Sequence, residues 1–585
     1  MRHILSLATA GVIALAASGA AAQPAINDTA PSTSAPSARA ATATHGMVVS
    51  QDALATRVGV EILEKGGNAV DAAVAVGFTL AVTMPRAGNL GGGGFMVIHL
   101  ADGNRNTTID YREAAPAAIT RNAFLDDKGE ADPEKSRNSA LAVGVPGTVA
   151  GLTMARDKYG SGKFTLAQLI APAIRYARQG ILIENDLFDT LALASARLSR
   201  WPSSARIFTR ADGATLTQGD RLVQNDLAAS LETIARGGPR AFYDGLLSGS
   251  IVGAVQRAGG VMTAADLKAY RAVERPALSG TYRGHDIISM GPPSSGGILL
   301  VQMLNILEGF PLGDVSKGYG YQSAQALHVM IEAMKLAYAD RAEYLGDADK
   351  VDVPLAALIS KERGDTLRAE INPARARPSL ELRPNSTATG SAGGNNTTHF
   401  SVIDRFGNAV ANTYSLNFNY GLGLVAEGTG ILLNNTLDDF AAKPGAPNAF
   451  GLVGSAANAP GGGKRPLSSM TPTIVLKDNK VRIVTGAPGG SRIITAVLQV
   501  IVDVLDFRLP IAEAVAAPRV HHQWLPDSVT AERTLPPDVM RALEARGHTV
   551  RTGPPSGAAH SIAVEGKIYE GAADGRSRGA LAAGF

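Results

Sequence analysis

Thr397 stands where a loosely composed stretch turns abruptly into a strand, and a threonine at such a junction offers a specific chemistry. Residues 372–396 are rich in Pro, Ser, Thr, Gly and Asn and close with Ser391-Ala-Gly-Gly-Asn-Asn396. Such a run has too few apolar side chains to offset chain entropy by burial. Thr397-Thr-His-Phe-Ser-Val-Ile-Asp404 then has the β-branched and aromatic content of a strand. If the Asn396–Thr397 bond were cut, Thr397 would become an N-terminus. Its hydroxyl is then a nucleophile, and its own α-amine can serve as the base. On composition alone the same stretch also reads as a surface loop entering a hairpin.

Three distant stretches gain meaning if Thr397 is a nucleophile. Gly486-Ala-Pro-Gly-Gly490 lies between an expected strand and an expected helix. The amides of Gly489 and Gly490 would project from a helix N-terminus and could hold the oxyanion of acyl transfer; alone, the run is also a plain strand-to-helix turn. Arg112 follows a short strand, where a forked guanidinium suits a substrate carboxylate, although beside Glu113 it also reads as a structural ion pair. Asp438-Asp439 could hold a substrate ammonium, and paired acids are common in turns.

Other motifs point away from other chemistries. Gly88 to Gly94 follows a helix and opens a strand, the reverse of a dinucleotide fingerprint, so close backbone packing is the better reading. Gly160-Ser-Gly-Lys163 lacks the first glycine of a phosphate loop. His521-His522 are adjacent and point apart, which does not make a zinc site. Pro292-Pro-Ser-Ser-Gly-Gly297 and Pro466-Leu-Ser-Ser-Met470 do not fit the serine-hydrolase elbow.

The elements that must position these groups are mixed helices and strands. The pattern predicts helices over 53–65 and 69–82, the second capped by Asn68 and apolar all round. Amphipathic helices are predicted over 164–179 and 323–344, the latter with Leu327, Met330, Ile331, Met334 and Ala337 on one face. Short strands are predicted at 95–98 and 107–111, and hairpins pair 398–403 with 409–416 and 473–476 with 481–485. A buried helix follows over 491–505. Without a regular βαβ repeat, this is an α+β or layered arrangement.

The 585 residues are 45% hydrophobic and 18% charged with a net charge of +3, and no basic stripe suggests nucleic acid as a partner. The chain has no cysteine, which excludes disulfides and thiolate chemistry. Residues 1–22 read as an export signal with Ala20 and Ala22 in the cleavage positions. Residues 23–45 read as a disordered lead-in. No later segment resembles a membrane span, so a periplasmic or secreted protein is expected.

Taken together, the chain resembles the gamma-glutamyltranspeptidase family. The matching runs include Gly59 to Ala73, Gly88 to Phe95, Tyr111-Arg-Glu113, Thr397-Thr-His399, Leu432-Leu-Asn-Asn435, Asp438-Asp-Phe440, Lys464 to Met470 and Pro488-Gly-Gly-Ser-Arg492. The resemblance implies an N-terminal-nucleophile hydrolase fold, a four-layer αββα sandwich. It also implies a precursor cut before Thr397 into a large subunit (46–396, with 372–396 a flexible tail) and a small one (397–585), which stay associated. The implied partners are glutathione or other γ-glutamyl donors, with water, amino acids or dipeptides as acceptors, and no cofactor or metal. By the resemblance, Thr397 is the nucleophile, Ser415 its hydroxyl partner, and Gly489 and Gly490 the oxyanion amides. Arg112, Ser468 and Ser469 hold the donor's carboxylate, Asp439 its amino group, and Asn417 lines the pocket. The stretch from Asp439 to about Gly451 is a lid. Two positions depart from the family: Thr436 stands where Gln or Glu helps hold the amino group, and Phe450 replaces a gating tyrosine. The alternatives are a cephalosporin or glutaryl amidase of the same fold, or a secreted binding protein without catalysis.

Overall fold

The computed structural model describes residues 37–382 and 396–585. Its frame is two seven-stranded antiparallel sheets. In chain order the strands are β1 (Ala38–Ala43), β2 (Gly46–Ser50), β3 (Gly93–Leu100), β4 (Arg105–Asp110), β5 (Val273–Pro276), β6 (Leu278–Tyr282), β7 (His285–Ser289), β8 (Thr398–Asp404), β9 (Ala409–Ser415), β10 (Thr473–Lys477), β11 (Lys480–Thr485), β12 (His560–Glu565), β13 (Ile568–Asp574) and β14 (Leu581–Gly584). One sheet has the order β14-β2-β8-β9-β3-β4-β5, the other β1-β13-β12-β11-β10-β7-β6.

Side-chain alternation along the strands builds the layers. Met47, Val49, Phe95, Val97 and Ile403 of the first sheet meet Ile288, Ile474, Leu476, Val484 and Ile562 of the second, forming a core between the sheets. The alternate residues Val48, Met96, Ile98, Phe400 and Val402 face outward onto helices α1 (Ala53–Glu64), α2 (Ala69–Thr83), α3 (Leu166–Gln179) and α4 (Asn225–Tyr243). Ile287, Val475 and Ile483 do the same on the far side, against α5 (Gly296–Leu307), α6 (Ala324–Tyr344) and α7 (Arg492–Leu505). The result is the expected αββα sandwich. Asn68 caps α2 in a reciprocal box with Asp71, and every residue of that helix is buried, as its all-round apolar sequence requires.

Three expectations are corrected. Helix α6 is not amphipathic: every residue from Ala326 to Arg341 is buried, His328, Glu332, Lys335, Asp340 and Arg341 included. Its polar groups find partners instead of solvent. Lys335 Nζ bonds Glu332 at 2.9 Å, and Asp340 accepts from Gln302 and Arg363, both at 2.8 Å. Secondly, Ala38–Ala43, placed in the disordered lead-in, forms β1 by pairing along its whole length with β13. Thirdly, the start of the supposed flexible tail is held in place. His328 Nε2 donates to Asn372 O at 2.8 Å, Asp527 accepts from the Ser379 amide at 2.8 Å, and Trp524 Nε1 donates to Ser379 O at 2.9 Å. Composition counts apolar side chains, but this segment is fixed through its backbone. The expected signal peptide (1–22), the lead-in up to residue 36, and residues 383–395 of the expected tail lie outside the described residues. Among the described residues no helix is long and apolar enough to cross a membrane.

Candidate functional site

Thr397 immediately precedes β8, and Ser415 ends the neighbouring β9. Because Thr398 pairs with Tyr414, the antiparallel register sets Thr397 beside Ser415. Thr397 Oγ1 donates to Ser415 Oγ at 3.3 Å, and the Asn417 amide donates to the same oxygen at 2.9 Å. Gly92 permits this arrangement: a Cβ there would lie 2.1 Å from Ser415 O, so the glycine run before β3 serves close backbone approach. Thr397 has φ of 124°, a region a β-branched residue rarely adopts.

The strand-to-helix turn reaches the same point. Gly489 (φ 131°) and Gly490 (φ 56°) take backbone angles that side chains disfavour, just before α7. The Gly489 amide donates to Asn396 O at 3.3 Å, the carbonyl of the bond preceding Thr397. Asn396 Nδ2 in turn donates to Asn417 O at 3.0 Å. A hydroxyl, the carbonyl it would attack and an amide on that carbonyl's oxygen thus converge.

Around them lies a small cavity of about 20 Å³, lined by Arg112, Thr397, Ser415, Asn417, Asp439, Phe450, Ser468, Ser469 and Gly490. That is room for one water, so a larger ligand enters only when the covering residues move. Arg112 is buried; it forms an ion pair with Asp439, donates to Pro466 O at 3.2 Å and lies 3.6 Å from Glu113. Burial pushes the Asp439 carboxyl up, and Arg112 opposes the shift. The two adjacent acids have separate tasks. Asp438 accepts from Ser136 at 2.7 Å, Arg137 at 3.1 Å and the Ala449 amide at 3.0 Å, which fixes the segment carrying Phe450. Only Asp439 faces the cavity.

Phe450 covers the cavity from the expected lid, packed edge-on against Phe418 with ring centroids 6.3 Å apart. Gln523 Nε2 donates to Phe450 O at 3.1 Å and holds that residue's backbone. Asn417 Nδ2 donates to Asn435 O at 3.0 Å rather than to the covering residue, as the missing tyrosine hydroxyl requires.

Two sequence-selected residues do not join the cavity lining: Gly489, which meets the Asn396 carbonyl instead, and Thr436. Fully buried, Thr436 donates through Oγ1 to Glu113 Oε1 at 2.7 Å. Its hydroxyl satisfies one oxygen of that buried carboxylate. Burial pushes that carboxylate's pKa up against the pull of Arg112.

Ser468 and Ser469 also line the cavity. Ser468 Oγ accepts from the Met470 amide at 3.0 Å. Sequence reasoning missed the residue behind them, Arg341 of α6, whose Nε donates to Ser295 at 3.0 Å and whose Nη2 lies 3.5 Å from Ser469 Oγ. Its only local signal was a charge inside a long helix, which ordinarily marks a solvated face.

The histidine pair separates as expected: His521 contacts Thr495 and Gln523, and His522 lies 3.3 Å from Asp527. Buried His328, Glu332 and His548 have metal-ligand types, but His328 bonds His548 at 2.8 Å and Glu332 bonds Lys335 at 2.9 Å. A separate cavity of about 580 Å³, near Asp52, Arg86 and Arg221, contains none of the residues singled out by sequence.

Comparison with known proteins identifies the family. The family profile described as Gamma-glutamyltranspeptidase matches residues 55–584. A glutathione hydrolase proenzyme of Escherichia coli is 53% identical over 546 residues, covering 93% of this chain and 92% of that protein. The cephalosporin acylase structure from Bacillus halodurans superposes with a TM-score of 0.80 at 26% identity, covering 97% of this chain and 98% of that one. A Helicobacter pylori gamma-glutamyltranspeptidase chain gives 0.55 at 43% identity over 58% of this chain and 96% of its own.

Proposed function

The chain belongs to the gamma-glutamyltranspeptidase family, and on that premise we propose that it is a self-processing gamma-glutamyltransferase and glutathione hydrolase with Thr397 as its nucleophile. The observation that carries the reading is that Thr397 Oγ1, held by Ser415 Oγ, adjoins the Asn396 carbonyl whose oxygen accepts from the Gly489 amide.

In the uncut chain the Thr397 nitrogen is an amide and cannot act as a base. Thr397 Oγ attacks the Asn396 carbonyl carbon, and the Gly489 amide holds the developing oxyanion, an interaction typically worth about 3–4 kcal/mol in acyl transfer. The C–N bond breaks, the nitrogen takes the hydroxyl proton, and water hydrolyses the resulting ester. Residues 397–585 then begin with a free amine. The backbone strain at Thr397, of order 1–3 kcal/mol for such a conformation, is released in the step.

In turnover, the α-amine takes the Thr397 hydroxyl proton; its pKa of about 8 suits that task near neutrality. The alkoxide attacks the γ-carbonyl of glutathione or another γ-glutamyl donor, and the Gly489 and Gly490 amides hold the oxyanion. The leaving amine takes the proton, which leaves a γ-glutamyl-threonine ester. Water then gives glutamate, or an amino acid or dipeptide amine gives a new γ-glutamyl amide. Arg112, Ser468 and Ser469 grip the donor's carboxylate, and Asp439 takes its ammonium. Ser415 orients the nucleophile, and Phe450 closes the pocket.

A second reading, a glutaryl or cephalosporin amidase, is favoured by one detail: Thr436 is committed to Glu113, which leaves Asp439 as the sole pocket acid for an ammonium. Turnover of γ-glutamyl-p-nitroanilide against the glutaryl analogue decides between them, and a preference for the glutaryl compound overturns the first reading. For processing, a denaturing gel of wild type and Thr397→Ala is the test. Two bands for wild type and one for the variant are expected; one unaltered band in both favours a non-catalytic binding protein.

A further inference from the structure

Ion pairs in this protein engage most of its buried guanidinium groups. Arg112, Arg465, Arg519 and Arg576 each contact a carboxylate. Arg341 is as deeply buried, yet among the described residues no carboxylate lies within ion-pair distance of it. Its Nε donates to Ser295 Oγ at 3.0 Å, and its Nη2 reaches Ser469 Oγ at 3.5 Å. Burial lowers its pKa to about 10, so the side chain is cationic at neutral pH.

The hydroxyl directions follow from this arrangement. A guanidinium only donates, so both Ser295 Oγ and Ser469 Oγ accept from it and turn their own protons elsewhere. Ser295 Oγ spends its proton on Ser468 O at 2.7 Å, where the Ser295 amide also donates at 2.8 Å. The Pro292–Gly297 turn is thereby a brace: Ser468 donates its amide back to Pro293 O at 2.9 Å, and Ser294 Oγ donates to Met470 O at 2.6 Å. Ser468 Oγ accepts from the Met470 amide, which leaves its proton free as well. One buried cation thus fixes the backbone of Ser468 and the hydroxyl polarity of Ser469. Both O–H protons are left for an acceptor in the cavity, which Arg112 also lines.

We propose that Arg341 is a positioning residue for recognition of the donor's carboxylate: it presets the Ser469 hydroxyl as a donor and, through Ser295, holds the backbone of Ser468 beside it. Its positive charge also supplements Arg112 when that anion enters. The inference rests on the acyl-donor reading of the pocket. It requires the donor to carry a carboxylate, which γ-glutamyl and glutaryl groups share and a 4-aminobutyryl group lacks.

The test compares mature wild-type enzyme with Arg341→Met on the γ-glutamyl, glutaryl and 4-aminobutyryl p-nitroanilides. A hydrogen-bond arrangement serving a charged group predicts KM raised about 10- to 100-fold for the two carboxylate donors, with kcat changed less than about threefold. The kcat/KM for 4-aminobutyryl-p-nitroanilide is expected to change less than about threefold. Equal losses on all three donors, or a fall in kcat with KM unchanged, overturn the proposal. If Arg341→Met does not mature, Arg341→Lys gives the same readout, since it keeps the charge but cannot span Ser295 and Ser469. A KM rise confined to carboxylate donors supports the proposal, and a uniform loss refutes it. Adding Ser469→Ala to either variant is expected to cost less than it does in wild type. If wild type favours the glutaryl donor over the γ-glutamyl one, the γ-glutamyl reading fails. The glutaryl-to-aminobutyryl ratio still decides the role of Arg341.

Discussion

Asp439→Asn is the substitution that most directly exposes the logic of the pocket. In the unliganded site Arg112 and Asp439 satisfy one another in a buried ion pair. A γ-glutamyl donor replaces that one pair with two, its carboxylate going to Arg112 and its ammonium to Asp439. Asparagine preserves the shape and one acceptor but removes the charge facing the ammonium. A hydrogen bond to a charged group is worth about 1.5–3 kcal/mol, and breaking a buried ion pair costs about 3–5. Asparagine's remaining acceptor places the expected loss at about 2–4 kcal/mol, or about 30- to 1,000-fold in kcat/KM. A glutaryl donor has no ammonium, and Arg112 released from Asp439 is free for its carboxylate. Its kcat/KM is expected to hold or to rise by up to about tenfold. The assay is p-nitroaniline release from both donors. A fall by the same factor on both refutes the assignment, because it would mean that Asp439 serves only to hold Arg112. A pH profile gives an independent check. Burial raises the Asp439 pKa and Asp439 works ionised, so γ-glutamyl turnover is present above that pKa and is lost as pH falls through it. The glutaryl profile is expected to lack this acid limb.

Gly490→Ala is expected to open the lid. A Cβ there lies 2.4 Å from the Phe450 ring, and φ of 56° adds a cost of about 1–2 kcal/mol for alanine. Faster proteolysis within residues 441–451 and a lower kcat/KM are the expected results; unchanged cleavage and activity would show that Phe450 is not seated on this turn. Asp503 gives a stability prediction away from the site, since burial pushes its carboxyl up to about 8. The folded protein therefore binds this proton more tightly than the unfolded chain does. The carboxyl's penalty is absent at pH 4 and grows as pH rises toward 8. Asp503→Asn is expected to raise Tm at pH 8 and leave it nearly unchanged near pH 4; an equal shift at both pH values contradicts the assignment.

Much of the scaffold was legible because it is written in local patterns. Alternation marked β8 and β9 and the hairpin joining them, and Asn68 followed by an all-apolar run predicted the buried helix α2. The break in composition at Thr397 and the glycine turn at 486–490 marked the two ends of the acyl-transfer geometry. What the chain alone could not reveal is which polar groups are buried together. Helix α6 carries enough charge to look half-exposed, yet its polar side chains find partners as far away in sequence as His548. Segment 372–382 was misread in the opposite sense, since its order comes from donors and acceptors on α6 and near Trp524.

The same division runs through the site. The sequence by itself determined the residue types: a threonine at a break in composition, a glycine pair before a helix, an arginine after a strand and an acid pair in a turn. Only the tertiary structure decided that Asp439 faces the cavity while Asp438 holds the lid, that Thr436 is spent on Glu113, and that Arg341 stands behind the pocket serines. Periodicity and composition report how a residue relates to its chain neighbours within a turn or a pleat. A buried polar group is defined by the donor or acceptor opposite it, and here that partner is brought from another strand or helix by the packing of two sheets.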